Sequence, residues 1–149
     1  MIKRFILILA VWLVSSSAYA SCVLEAETDE KNFTRCLQQA GKDDAKAQAA
    51  LALMFYEGKG VAQNYDKAVQ WYLKSAKQGN TLAQASLGMA YARGVGIPKD
   101  QITALMWMNI ADANGLESIV LYRTTLMSLM TADQKEQAHR LAVDWLEKH

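Results

Sequence analysis

The stretch from Ala47 to Gly79 occurs twice in this chain. Displaced by thirty-six residues without a gap, it falls on Ala83 to Gly115. Ala47, Gln48, Ala49 and Leu51 meet Ala83, Gln84, Ala85 and Leu87. Gly58 and Gly60 meet Gly94 and Gly96, and Ala68, Trp71 and Gly79 meet Ala104, Trp107 and Gly115. Conservative pairs fill the gaps: Leu53/Met89, Phe55/Tyr91, Val61/Ile97 and Val69/Leu105. A period of this length marks a stacked array, in which one unit buries its apolar face only against its neighbours.

Within each unit the pattern is helical. Ala47, Leu51 and Phe55 recur every four residues and form the buried stripe of a helix over Ala45 to Glu57. Gly58-Lys59-Gly60-Val61 ends it, and Asn64 caps a second helix over Tyr65 to Gln78. Ala68, Trp71, Tyr72 and Ser75 are expected on its inner face, with Trp71 filling the space beside the small Ala68. The second unit repeats this with Ala83, Leu87 and Tyr91, a Gly94–Ile97 turn, an Asp100 cap, and Ala104, Trp107, Met108 and Ala111 inside. Ala, Leu, Gln, Lys and Met are common and proline occurs once, which suits an all-α chain.

The flanks are less regular. Glu25 to Lys31 reads as a loop, and Asn32 to Ala40 as a short helix with Phe33, Cys36, Leu37 and Ala40 on one face. After Gly115 the repeat is lost. A helix is expected over Leu116 to Leu129, burying Ile119, Val120, Leu126 and Met127. Thr131 and Gln134 then form a capping box for a last helix reaching about Glu147, with Ala138, Leu141, Ala142 and Trp145 on one side. The organisation expected is an export signal over 1–20, an N-terminal segment with a short helix over 21–44, repeats over 45–79 and 80–115, and capping helices over 116–149.

The first residues read as an address. Met1-Ile2-Lys3-Arg4 is basic, Phe5 to Val14 is apolar, and Ala18-Tyr19-Ala20 supplies a small-x-small cleavage site. The apolar run is about half the ~20 residues a membrane-spanning helix needs. Cleavage after Ala20 and delivery to the periplasm or outside is the expectation; an uncleaved anchor and lipidation of Cys22 are the alternatives. Tyr19 stands where lipoprotein signals carry leucine, three residues before the cysteine. In an oxidising compartment Cys22 and Cys36 are more readily joined than left as two thiols.

Chemistry-bearing motifs are sparse. The chain has 16 basic and 15 acidic residues, so no basic face for nucleic acid is implied. His139 and His149 stand ten residues apart with no cysteine or carboxylate at ligand spacing, which gives no metal site. Gly58-x-Gly60 and Gly94-x-Gly96 lack the third glycine of a dinucleotide fingerprint and follow helices, not strands. No serine stands in a nucleophile motif. Neither a cofactor nor a catalytic residue is expected.

The pattern Ala47-Gln48-x-x-Leu51…Phe55-x-x-Gly58-x-Gly60-Val61…Ala68…Trp71…Gly79 resembles the Sel-one-like repeat, a relative of the tetratricopeptide repeat. The copy with Leu87-Gly88, Tyr91, Gly94 and Gly96 matches it more fully; Ala52 and Ile102 are departures. The resemblance implies a right-handed α/α solenoid of antiparallel helix pairs and a binding role, not catalysis. Carried over by position, it places Lys46, Leu53, Tyr56, Glu57, Leu82, Met89 and Arg93 on a concave face, with Ala49, Ala85 and Ala92 between them. The implied function is an exported adaptor that holds another protein or peptide. The alternatives are an immunity protein that occludes an exported toxin, and a hydrolase or β-lactam-binding enzyme. The oligomeric state is not read from the sequence.

Overall fold

Polar side chains at the helix starts set the boundaries of the fold. A computed structural model describes residues 22–149; the export signal expected over 1–20 lies outside the described residues. Seven α-helices follow one another there: α1 (Asp29–Ala40), α2 (Ala45–Glu57), α3 (Tyr65–Lys77), α4 (Thr81–Arg93), α5 (Gln101–Ala113), α6 (Val120–Ser128) and α7 (Ala132–Leu146). A 3-10 turn, Glu117–Ile119, precedes α6, and no strand occurs among the described residues. Asp44 accepts from the Ala47 N–H at 2.9 Å, Asn64 from Lys67 at 2.9 Å, and Asn80 from Ala83 at 3.0 Å. Each cap satisfies an amide that the helix itself leaves unpaired and contributes about 1 kcal/mol. The Thr131–Gln134 capping box is formed in both directions, at 3.3 and 2.9 Å.

The helices pack as successive antiparallel pairs, α2 on α3 and α4 on α5, with α3 against α4 joining the pairs into a solenoid. Leu51, Leu87, Leu105, Met108 and Ile110 are fully buried between them. Close approach depends on small residues. Ala47, Ala68, Ala83 and Ala104 are each buried to within 1 %. A Cβ on Gly88 would meet Met108 Cγ at 2.7 Å and Ala104 O at 3.1 Å, so the Leu87-Gly88 step lets α4 rest on α5.

The thirty-six-residue phase extends one helix further than the sequence repeat. α1, α3 and α5 begin at Asp29, Tyr65 and Gln101, two equal steps. Gly60 (φ 67°) lies so close to Asp29 O that a Cβ would collide with it, and Gly96 (φ 69°) approaches Tyr65 O in the same way. The turn of each unit thus seats on the start of the preceding unit's second helix. Asp43, at φ 62°, is the one non-glycine residue of positive φ among the described residues, and it holds the place of Gly79 and Gly115. α1 therefore stands in the phase of a unit's second helix.

This phase corrects the reading of the flanks. Residues 29–31 are helical, not loop, and the inner face of α1 is Asn32, Cys36 and Ala40. Leu37 is 43 % exposed and Phe33 only half-buried. Asn32 is buried because it clamps a backbone: it accepts from Leu24 N at 2.9 Å and donates to Leu24 O at 3.0 Å. Cys22 and Cys36 are joined in a disulfide with Cα atoms 4.8 Å apart. At the other end, 116–129 is not one helix. The 3-10 turn buries Ile119, and the redirected α6 then buries Leu126 while leaving Val120 exposed and Met127 half-buried. On α7, Ala138 and Ala142 pack inward and Leu141 stays 38 % exposed. Trp145 reaches Trp107, ring centroids 5.5 Å apart.

Buried amides link one unit to the next. Gln48 donates to Ala40 O at 3.3 Å and Asp43 Oδ1 at 3.2 Å, and accepts from Gln78 at 2.8 Å. Gln84 donates to Ala76 O at 3.2 Å and accepts from Asn114 at 3.0 Å. Gln48 and Gln84 are essentially inaccessible, so each needs these partners to avoid a desolvation penalty of about 1–3 kcal/mol.

Candidate functional cleft

A cleft of about 270 Å³ opens between the C-terminal halves of α2 and α4, floored by α3. Leu53 and Tyr56 reach it from α2, three residues apart and therefore on one helix face. Ser86, Met89 and Arg93 reach it from α4 at spacings of three and four, which again select one face. Ala68, Val69 and Tyr72 of α3 form the floor, Val95 closes one side, and Tyr122 of α6 stands at the edge, half exposed. Tyr56 is held by an edge contact with Tyr65, centroids 5.1 Å apart.

The electrostatics of the cleft are simple. Arg93 is the one charged residue in its lining, and no ion pair engages it among the described residues. Burial pushes the Tyr72 hydroxyl up to about 12, against the opposing effect of its hydrogen bond with Ser86; the nearby Glu57 and Tyr56 push it in the same direction as burial. Tyr72 therefore stays neutral and serves as a polar tip on an apolar floor.

Of the residues placed on the concave face, Leu53, Tyr56, Met89 and Arg93 lie together in this lining. Lys46 and Leu82 lie in the first turns of α2 and α4, about two helical turns from Leu53 and Met89, and are exposed. Glu57 is engaged by Lys59 at 2.7 Å instead of facing Arg93. Val69, Ser86, Val95 and Tyr122 were not among the expected site residues, and Tyr72 was expected only as packing. Ser86 and Val95 follow from the helical spacing of α4 and its turn. Tyr122 has no such signal, because it lies past the point where the repeat is legible.

No group of three or more His, Cys, Asp or Glu that could hold a metal occurs among the described residues. His149 Nδ1 donates to Trp145 O at 3.0 Å, and the imidazole stacks on the Trp145 ring. None of the described helices is long and apolar enough to cross a membrane. The cleft offers apolar surface, hydroxyls and one cation, which is a set of groups for binding.

A family model of the Sel1 repeat matches residues 45–80 and 81–115. The crystal structure of a protective antigen present in uropathogenic Escherichia coli strains, displaying an SLR fold, superposes with a TM-score of 0.77 at 28 % identity. That match covers 93 % of this chain and 28 % of the antigen. A Sel1 repeat protein from Oxalobacter formigenes superposes with a TM-score of 0.61 at 29 % identity, over 62 % of this chain and 27 % of the other. This chain thus spans little more than a quarter of either protein's length. No curated protein matches it.

Proposed function

Because this chain belongs to the Sel1 repeat family, we propose that it is an exported protein-binding module that holds a segment of its partner in the cleft between α2 and α4. Sel1 repeats generally mediate protein–protein interaction. The observation that carries the reading is the cleft itself. Two units contribute equivalent positions, Leu53 and Met89, to one apolar surface, and Tyr56 and Arg93 stand beside them. Apolar and aromatic contact with a few placed polar groups is how such grooves take up a helix or an extended peptide. Export is supported by the sequence pattern of the first twenty residues and by the Cys22–Cys36 disulfide, a bond of oxidising compartments.

The test is capture from periplasmic extract, read by mass spectrometry. Tyr56→Ala combined with Arg93→Ala is expected to deplete the captured partner while leaving the helical circular-dichroism signal unchanged. Undiminished capture by the double variant would overturn the assignment of the cleft.

A further inference from the structure

We propose that the cleft selects a partner segment in which an apolar side chain is flanked by an Asp or Glu, the apolar group resting on Leu53 and Met89 and the carboxylate meeting Arg93. This inference rests on the binding role proposed above and adds the chemistry of the occupant.

Charge complementarity carries it. The cleft presents one cation and no carboxylate in its lining. Arg93 is not neutralised from within: Glu57 is engaged by Lys59 at 2.7 Å, and Asp100, across the Gly94–Lys99 turn, accepts from its own helix start and from the Thr103 hydroxyl at 2.6 Å. Arg93 is exposed at the mouth of the cleft, so its attraction for an anion is partly screened by water and rests on the geometry of the guanidinium. Its planar fork matches a carboxylate with two parallel hydrogen bonds. An occupant carrying lysine or arginine at the same place would face an unanswered like charge.

The carboxylate is assigned to a side chain, not to a chain terminus. Free C-termini are captured by nests of backbone amides. Here the amides of Ala68 in the floor and Val95 at the side of the cleft are already donated, to Asn64 O at 3.0 Å and Ala90 O at 3.1 Å. The remaining donors identified in the lining are side chains: Tyr56, Tyr72, Ser86, Tyr122 and Arg93. The volume of about 270 Å³ suits one or two side chains, not a long stretch of buried chain.

The probe is a phage library of short random peptides fused to the coat protein through their C-termini, so that no free carboxyl terminus is on offer. The full-length mature protein is the bait. Enrichment of an apolar residue beside Asp or Glu is expected. Arg93→Glu should shift the enriched charge from acidic to basic and weaken the original peptides about tenfold, the ratio that ~1.4 kcal/mol gives. Met89→Asp, with unchanged circular dichroism, should abolish both selections. Peptides lost with Met89→Asp but showing no acidic bias, or unmoved by Arg93→Glu, would overturn the charge assignment and leave the binding role standing. Selection only from a companion library displaying free C-termini would overturn the side-chain assignment. Peptides indifferent to Met89→Asp, or none enriched from either library, would overturn the cleft as a docking surface altogether.

Discussion

At its N-terminal end the described array stops on a helix that keeps the thirty-six-residue phase, whereas at its C-terminal end it stops on helices that abandon it. α1 begins two equal steps before α5 and receives the Gly60 turn as α3 receives the Gly96 turn. Its inner side is covered by the short segment that precedes it. Three ties hold that segment: the Cys22–Cys36 disulfide, the paired Asn32–Leu24 hydrogen bonds, and an Arg35–Glu27 ion pair at 2.6 Å. At the far end α7 lies along α5 and covers it by packing, with Ala138, Ala142 and Trp145 against residues of the second unit. A solenoid edge lacks the neighbour that would bury it. One edge here is closed by covalent and polar restraint of an in-phase helix, the other by an out-of-phase helix with its own apolar face.

The largest test of that contrast is the disulfide. Cys22→Ser with Cys36→Ser, or reduction, should cost about 3 kcal/mol on the chain-entropy estimate for this loop. A thermal melt should fall by roughly 6–12 °C, the range that 2–4 °C per kcal/mol gives for a chain of this size. A melt unmoved by reductant would mean that both edges are held by packing and the contrast fails. Next comes Trp145→Ala, which removes a half-buried ring from Trp107 and should cost about 2 kcal/mol, below the 3–5 of a fully buried ring. Urea melts in oxidised and reduced protein check it, and the loss should be nearly the same in both, since α7 packs chiefly on α5. The smallest effect is expected for Asp43→Gly. Glycine relieves the left-handed backbone, worth about 1 kcal/mol, but removes the acceptor for Gln48. The net should be within about 1 kcal/mol by the same melt, and a larger loss would show that Asp43 chiefly serves the buried amide chain.

The two central units were legible because their identities are geometric necessities. Gly60 and Gly96 admit no side chain, Ala68 and Ala104 set the helix spacing, and Gln48 and Gln84 carry buried hydrogen bonds. α1 escaped notice because it matches α3 only at Lys31, Leu37 and Ala40, while Asn32 and Arg35 replace the small residue and the tryptophan. A helix is legible there from Asn32 onward, but its start at Asp29 and its inner face are not, since Asn32 is buried through a tertiary clamp that periodicity does not register. The upper wall of the cleft was legible from helix position. Its floor was visible only as core, and Tyr122 depended on a 3-10 turn that no repeat announced. Trp71 and Trp107 show how one sequence position meets two surroundings: the first lies half-buried under Lys74, 4.3 Å from its ring centroid, and the second is buried against Trp145.

The chain of buried amides has a consequence for length. Each unit presents a glutamine carbonyl oxygen toward the amide that ends its own second helix, and a glutamine N–H toward a backbone oxygen of the unit before. The junctions at Ala40 and Ala76 are chemically alike. A further unit spliced in at Asn80 would find a donor waiting on one side and an acceptor on the other. The molecule is thus a string whose beads share a common clasp, and it can grow by whole beads without stranding a polar group in its interior.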